Sequence, residues 1–479
     1  MRKIKIISCL PIFFPLLCPW VGKASILRLS FDDYLQQVSQ KDSRLKSVQL
    51  AREGSELILG SGQLLTNIQL TSQISFLDDE RPTASPTTTG NKIENKSYNL
   101  GFQQQTSLGL NWTLTQNVSE TTVLGANPLF LPQNQYFDTY PKIEVQIPLW
   151  RNWLGRETRA RVENIDAQAK AQKLQNQAEE ILARVQVEIT YSQLLSQKEI
   201  LEIHKDNLRR AEKILESSRI RVQRNLSDRS DLYQAEAAIR LRRLELLNAE
   251  KQLREVSLKF NQMRGLESDT VAEELTPLVL NIQSLDLSNS PPRFARDNLA
   301  QIEVARSQAA LSRSLWEQNK PNLNLSLSHL KMGRDRDYSL AQQNMLDRDN
   351  DYWLIALQFS MPLDQEDLQK QRQGHKLMAE SQTYKEKALH EDQNRIWMST
   401  VNHARWMKSQ MTLLRELEDI QLQKADLERV KLSQGRSTIY QVLMFEQDFV
   451  NVRSQKVHLE LQIRQFISQL TLFTEEADL

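Results

Sequence analysis

The sequence predicts a mostly α-helical chain built as a tandem duplication, in which each half contains a helix, two strands, a long helix and a shorter helix. Repeated motifs in matching order, pairs of alternating segments and two very long helical stretches predict this fold class. The segment 225–236 is echoed by 435–446, and the Ile-Pro-Leu of 147–149 recurs as Met-Pro-Leu at 361–363. Because the order is the same both times, we expect the two halves to be built alike.

Residues 1–24 have the features of a secretory signal peptide. Basic residues precede an apolar run over 6–21, and small residues follow it at the expected cleavage site. An uncleaved membrane anchor is disfavoured because prolines interrupt the run, which is also short for a membrane span. Lipid attachment at Cys18 is disfavoured because the preceding Leu17 is large. We therefore interpret this segment as a removable signal that directs export.

The composition argues against several classes of function. The two cysteines, Cys9 and Cys18, both fall in the expected signal, so we expect no disulfide, thiol catalysis or cysteine-bound metal. A net charge of +1 gives no electrostatic footprint for nucleic acid. None of the 6 histidines has a metal-ligand spacing, and no phosphate-binding loop or nucleophile elbow occurs. The sequence therefore predicts no enzyme, no catalytic residue, no cofactor and no metal site.

The first structural repeat is expected at 25–266. It opens with a helix over 32–60, capped by Ser30 or Asp32. The later elements are expected to be strands 67–76 and 140–149 and helices 158–222 and 228–265. A further alternating pair lies within about 77–139, and it either adds a hairpin or extends the same strands.

An equatorial linker is expected at 267–292, followed by the second structural repeat at 293–479. The elements of this repeat are expected to be a helix over 293–318, strands 321–330 and 351–361, and helices 369–432 and 437–473. The polar, turn-rich segments 78–96 and 333–350 are expected to be exposed loops.

Each long helix ends at a short break, and the helices that follow, 228–265 and 437–473, carry apolar residues spaced by seven. A second row of such residues lies three positions further on. This spacing is typical of a coiled-coil seam. Each of these helices, added to the short helix that opens a repeat, matches one long helix in length. We therefore expect two shorter helices to lie end to end beside a long one.

The strands alternate between apolar and polar residues, as in the leucines at 323–327 that are separated by asparagine and serine. A small soluble antiparallel sheet would show the same pattern. In a membrane, open strand edges are not tolerated, and barrels contain at least about eight strands. Four core strands per chain therefore favour pooling between subunits, since three copies of four close a twelve-stranded barrel.

These features resemble the TolC-like outer membrane efflux protein family over roughly 27–473. The resemblance rests on the duplicated plan, on Pro148 and Pro362 at the strand-to-helix transitions, and on the tip sequences NLSDRSDLYQAE and GRSTIYQVLMFE. It implies a homotrimer in the outer membrane of a Gram-negative cell, with a twelve-stranded barrel and a long α-helical tunnel in the periplasm. It also implies a periplasmic adaptor and an inner-membrane transporter as partners, for efflux or type I secretion.

The resemblance assigns adaptor docking to the two helical breaks. The docking residues would be Asn225, Leu226, Ser227, Gly435, Arg436 and Ser437. The family's periplasmic aperture often carries aspartate rings just past the second tip, where this chain has Gln441 and Met444. Leu432 stands where the best-known member has a tyrosine. We therefore expect a neutral or hydrophobic constriction, with Asp228 and Asp231 as the nearest carboxylates.

Two alternatives stay open at this point. A periplasmic coiled-coil adaptor or structural spacer with a soluble sheet would share the long helices, although an adaptor should show one hairpin and no duplicated strand pair. The aromatic residues near the strand ends are either an interfacial girdle or ordinary strand aromatics. They are Tyr136, Tyr140, Trp150, Trp153, Tyr352 and Trp353.

Overall fold

A computed structural model describes residues 28–289, 296–347, 350–361, 363 and 365–473. The expected signal peptide 1–24, the end of the linker and Pro362 lie outside these residues. In the described part of the chain, no helix is both long enough and apolar enough to cross a membrane.

The elements of the N-terminal half follow the predicted order, with extra strands between the first and last. They are β1 (Arg28–Leu29), α1 (Phe31–Lys41), α2 (Ser43–Leu57), a 3-10 turn (Ser61–Thr66), β2 (Gln69–Asp79), α3 (Pro86–Thr89), β3 (Lys92–Gln105), β4 (Asn111–Leu124), β5 (Gln135–Pro148), a 3-10 turn (Trp153–Gly155), α4 (Arg156–Gln223) and α5 (Arg229–Met263).

The C-terminal half repeats this order with fewer strands. Its elements are β6 (Glu274–Leu275), a 3-10 turn (Ile282–Leu285), α6 (Arg296–Gln318), β7 (Asn322–Lys331), β8 (Gly333–Asp335), α7 (Tyr338–Asp347), β9 (Asp351–Ser360), α8 (Gln365–Ser433) and α9 (Ile439–Leu470).

The helices α4 and α8 run the whole length of the helical part. They contain 68 and 69 residues, so each is about 100 Å long at 1.5 Å per residue. Both α6 and α9 pack against α4 and α8, while α2 and α5 pack against α4. Pairs of shorter helices therefore accompany the long ones, as the helix lengths in the sequence predict.

All the long strands belong to one antiparallel sheet, in the order β2-β3-β4-β5-β7-β9, with the short β8 beside β5. The four predicted core strands correspond to β2, β5, β7 and β9, and the mostly helical fold class with a strand contribution is confirmed. The strands β3 and β4 form an added hairpin between β2 and β5. One chain thus supplies six long strands, two more than the four from which a total of twelve is expected.

An aromatic cluster holds the waist of the helical part together. The rings of Tyr34 in α1 and Phe260 in α5 stack with centroids 3.9 Å apart. The hydroxyl of Tyr191 in α4 donates to the backbone carbonyls of Leu29 and Thr276, at 2.9 Å each. Burial raises the pKa of both tyrosines. The cluster joins three helices to the parallel β1–β6 ladder, so the two ends of the first repeat meet here.

The expected equatorial linker is packed onto the helices over its described part. Leu275 belongs to the aromatic cluster. Leu285 is buried against Met411 of α8 and Ile463 of α9. The linker is therefore a belt that contacts both repeats.

The opening helix differs from the expected single element at 32–60. It is divided into α1 and α2 at Asp42, whose side chain accepts a hydrogen bond from the amide of Arg44 at 2.7 Å and caps α2. The expected cap at Ser30 is present, because Ser30 and Asp33 form a capping box at the start of α1.

The segment 333–350 is more ordered than the expected exposed loop. It contains β8 and α7, and Ala341 is fully buried against Gly333. Arg334 donates to Asp138 at 2.6 Å and lies over the ring of Tyr136. These contacts fix α7 to the end of β5 that is far from the long helices.

Candidate functional site

The two helix hairpins end side by side, about 100 Å from the sheet along the long helices. The α4–α5 turn has Asn225 at φ 58° and the α8–α9 turn has Gly435 at φ 76°, both in the left-handed region. In each turn the next amide donates back to a carbonyl five residues earlier, at 2.8 Å. This is the Schellman arrangement, which asparagine and glycine tolerate best. The two tips therefore have the same backbone shape.

The helices that leave the two tips begin after Asp228 and Thr438, one residue beyond a serine in each turn. These serines, Ser227 and Ser437, do not cap the helices, because both bond elsewhere. Ser227 donates to Asp231, and Ser437 donates to a glutamate of α8.

Only the second of these caps is closed by side chains. The backbone amide of Gln441 donates to the Thr438 hydroxyl at 3.3 Å, and the backbone amide of Thr438 donates to the side-chain oxygen Oε1 of Gln441 at 3.4 Å. Asp228 makes no capping hydrogen bond. The second tip is therefore more firmly built than the first.

The tips are joined across a cavity of about 380 Å³ that is lined by both turns. Arg221, near the end of α4, donates to the backbone carbonyl of Leu432 at the end of α8, at 2.5 Å. Leu432 is buried in an apolar cluster with Ile214 of α4 and Ile439 of α9. The structure thus brings four of the six predicted docking residues together around this cavity, with Gly435 and Arg436 outside its lining.

A second link above the tips was not apparent from the sequence. Glu446 of α9 is almost fully buried and forms an ion pair with Arg210 of α4, 3.0 Å away, and a charge-assisted hydrogen bond with Arg429 of α8. Arg210 also lies over the ring of Phe449. This clamp joins three helices from both repeats. A glutamate on the apolar side of the α9 heptad is the only signal for it in the sequence.

The predicted aperture residues lie close to the tips and differ in their surroundings. Gln441 is held in the cap of α9, and Met444 is exposed one turn further on. Asp231 accepts the Ser227 hydroxyl, and Asp228 is exposed. The two predicted aperture positions past the second tip are therefore uncharged, and both carboxylates of the predicted set belong to the first tip.

One ionised group does support the second tip. Glu428 of α8 accepts hydrogen bonds from Ser437 at 2.5 Å and from Lys431 at 3.1 Å. These bonds lower the pKa of Glu428. The charged carboxylate therefore ties the α8–α9 turn back onto α8.

The strand-to-helix transition at Pro148 is a tight, strained turn. The β5 strand ends at Pro148, and Asn152, Leu154 and Gly155 all have positive φ before α4 begins. The side chain of Asn152 accepts a hydrogen bond from the amide of Thr158 at 3.0 Å, which holds the start of α4. The corresponding transition at Pro362 falls outside the described residues.

The sheet has one apolar and one polar face. Ile147, Leu325 and Leu357 lie directly opposite one another across β5, β7 and β9, and Leu357 is 66% exposed. On the other face, Asn324 lies opposite Gln358. No described element covers the apolar face, and its side chains on β9 are among the most exposed large apolar residues of the sheet.

Exposed aromatic side chains lie at the two ends of the strands. Trp150 and Trp153 follow β5 at the end nearest the helices, and Trp353 lies near the start of β9 at the opposite end. Aromatic residues at both borders of an apolar band are typical of membrane interfaces. This position favours the girdle interpretation of the sequence.

The arrangement is that of a channel-tunnel: a strand sheet that continues into helices about 100 Å long and ends in two paired helix tips. Among the described residues, no group of three or more acidic, histidine or cysteine side chains is arranged to hold a metal ion.

The comparisons with known proteins agree with this class. Residues 110–265 match the model of the outer membrane efflux protein family. The fold matches the outer membrane protein VceC from Vibrio cholerae with a TM-score of 0.61 at 14% identity, covering 92% of this chain and 95% of that one.

Two outer membrane channels show the same fold. CmeC from Campylobacter jejuni gives a TM-score of 0.60 at 12% identity, covering 92% of this chain and 85% of that one. MtrE from Neisseria gonorrhoeae, solved in its open state, gives 0.58 at 12% identity, covering 92% and 88%. Among curated proteins, none matches this sequence. The resemblance to the TolC-like outer membrane efflux protein family is confirmed by the family match together with the fold.

Proposed function

We propose that this chain forms the outer-membrane exit duct of a multicomponent efflux or type I secretion system. Three copies would pool their sheets into a barrel and their helices into a periplasmic tunnel. The observation that carries the proposal is the sheet with one uncovered apolar face and one polar face, joined directly to the long helices. The match to the outer membrane efflux protein family over 110–265 supports it.

A pair of neighbouring residues in β9 tests the membrane placement. Leu357 lies on the apolar face and Gln358 on the polar face. Leu357→Arg should prevent assembly in the outer membrane, because an arginine that faces lipid near the bilayer midplane costs about 2–4 kcal/mol, whereas Gln358→Arg should assemble normally. Membrane fractionation measures the location of each variant, and migration as a trimer in mild detergent measures its assembly. A wild-type chain found as a soluble monomer would instead favour the periplasmic spacer.

Channel activity is the direct test of the duct. Purified trimers should conduct ions across a planar bilayer, since the lumen continues from the barrel into the helical tunnel. Conductance should increase when the tips are loosened by Arg221→Ala, because that change removes the hydrogen bond to the Leu432 carbonyl. No conductance with either the wild-type protein or the Arg221→Ala variant would argue against the proposal.

The helix tips are proposed as the docking site for a periplasmic adaptor. Their support is the exposed apolar side chain of Leu226, 65% exposed at the outer end of the first tip. Leu226→Glu should abolish export in cells while trimer formation and conductance are kept. Tyr233→Glu is the matched control, because Tyr233 is also 65% exposed but lies further along α5. Equal losses of export in both variants would contradict docking at the tip.

The aperture is proposed to be neutral, because the positions past the second tip are Gln441 and Met444. Divalent cations should therefore block the wild-type channel only weakly. Met444→Asp should create a block, since three carboxylates would then face the opening in a trimer. A strong wild-type block that Gln441→Ala abolishes would contradict a neutral aperture.

A further inference from the structure

The added β3–β4 hairpin is part of the sheet itself. It lies between β2 and β5, where a chain with four core strands would have β2 and β5 side by side. The β2–β3 ladder runs from Gln69 opposite Gln103 to Asp79 opposite Ile93. The strand β4 pairs with β5 over nearly its whole length in the same way. The hairpin is therefore bonded on both of its sides.

The hairpin also continues the apolar face of the core strands. Leu70, Phe102, Leu114 and Ile143 lie directly opposite one another across β2, β3, β4 and β5. All four side chains are exposed, between 44% and 66%. A shift of one residue in the pairing of any of these strands would turn its apolar side chains to the other face of the sheet. The apolar side chains of the hairpin thus lie on the same face of the sheet as those of β2 and β5 and have the same environment.

The opposite face of the hairpin carries polar, uncharged residues along β3 and β4. Gln73, Asn99, Asn117 and Tyr140 form one row across β2 to β5. Nearby amides bond across strands, as when Gln103 donates to Gln69 at 2.9 Å. This is the alternation of a wall between lipid and water.

The turn of the hairpin is locked onto the strand-to-helix transition. Gln105 donates to Thr158, in the first turn of α4, at 3.0 Å. Gly155 leaves no room for a side chain, since a Cβ there would lie 1.9 Å from the backbone oxygen of Ser107. A loop outside the sheet would not require this close contact between Gly155 and the turn of the hairpin. The hairpin is therefore a built part of the junction between sheet and tunnel.

The two free edges of the sheet are suited to join copies of the chain. In the described residues, β2 and β9 each pair on one side only, and they run in opposite directions along the sheet. The β9 strand of one copy can therefore pair antiparallel with β2 of the next, and the ring closes without an open edge.

From these observations we infer that the barrel of this protein is eighteen-stranded, with the β3–β4 hairpin of each subunit inside the wall and its apolar face against lipid. Three copies of six strands give this number. The inference rests on the proposed function, because it needs the sheet to lie in a membrane. Barrel diameter grows roughly in proportion to strand number, so the opening should be about 1.5 times as wide as that of a twelve-stranded ring.

Spin labels on single cysteines test the placement of the hairpin. The only cysteines in the sequence, Cys9 and Cys18, lie in the expected signal peptide, so the processed chain carries no background thiol. In lipid vesicles, a label at Leu100→Cys on the apolar face should collide mainly with oxygen. A label at Asn99→Cys should collide mainly with a water-soluble nickel chelate. Water access at both positions would place the hairpin outside the wall and overturn the inference.

A core strand distinguishes this failure from failure of the proposed function. A label at Leu325→Cys, on the apolar face of β7, should be lipid-exposed in either barrel. If it is lipid-exposed while the label at Leu100→Cys is not, the duct stands and the eighteen-stranded wall is wrong. If both labels are accessible to water, the membrane placement itself is wrong.

Short thiol crosslinks, followed by mass measurement, test the strand number. The pairs Gln73→Cys with Asn99→Cys and Asn117→Cys with Tyr140→Cys should link within one chain. The pair Gln73→Cys with Tyr140→Cys should not, because its two strands are about 14 Å apart, or three strand spacings. Native mass spectrometry should then give three chains per complex. A direct link of the third pair, or a complex of two chains, would contradict eighteen strands.

Discussion

The two helix tips share a backbone shape but differ in the side chains that hold it. The first tip turns at Asn225 and starts α5 with an uncapped Asp228, while the second turns at Gly435 and starts α9 with a complete capping box. The second tip is also tied to α8 through Glu428 and bordered by the buried Glu446 clamp. The two copies have thus kept the same backbone geometry but differ in the side chains that hold it, with more side-chain contacts at the second tip.

The clamp should show the largest difference between the two tips. Glu446→Ala removes a buried carboxylate from between Arg210 and Arg429, and we expect a loss of about 3 kcal/mol in unfolding free energy. Glu236 is the matched control, since it holds the corresponding place in the first repeat and makes no ion pair in the described part of the chain. Chemical unfolding of the two alanine variants measures both; equal losses would show that the clamp contributes nothing specific.

The second largest difference is expected between substitutions in the two turns. Gly435→Ala places a side chain at φ 76° with open space around it, so the cost is purely conformational, at about 1 kcal/mol. Asn225→Gly should leave the first turn unchanged or slightly firmer, because glycine adopts the same φ freely. Hydrogen exchange of the amides in each turn reports the effect. Unchanged exchange in the Gly435→Ala protein would mean that its turn is not in the left-handed conformation.

The caps should give a smaller and more local effect. Thr438→Ala should weaken the first turn of α9 by about 1 kcal/mol. Asp228→Ala should have little effect on α5, since Asp228 makes no capping hydrogen bond. Exchange rates of the first four amides of each helix make the comparison. A larger effect at Asp228 would reverse the assignment of the firm tip.

The smallest expected effect is a pH dependence confined to the second tip. Hydrogen bonds from Ser437 and Lys431 lower the pKa of Glu428 below its ordinary value of 4.5. Its contribution is therefore fully present above that ordinary value and is lost as the pH falls through the lowered value. A spin label at Gln434→Cys should become more mobile as the pH is lowered below 4.5, and one at Arg224→Cys should not.

A substitution checks that Glu428 is the responsible group. The Glu428→Gln protein should show the mobile second tip already at neutral pH, with no further change on acidification. If its label still loosens in acid as in the wild type, another group controls the tip.

The sequence predicted most elements because local patterns determine them. Strict alternation marked the strands, heptad spacing marked α5 and α9, and Asn225 and Gly435 marked the turns, since those residue types suit a left-handed backbone. It did not predict the division of the opening helix at Asp42, because an aspartate inside a helical pattern is compatible with either outcome. The clamp of Glu446 was also missed, since its two arginines come from helices far away in the chain.

The sequence by itself determined the duplicated plan and the period of each element, because these depend on residues close together in the chain. Only the tertiary structure decided where the β3–β4 hairpin lies, since strand order depends on pairing between distant segments. Alternation reveals that a strand has two faces, but the register shows which faces coincide. That register aligns Leu70, Phe102, Leu114 and Ile143 in one band and places the added strands inside the sheet.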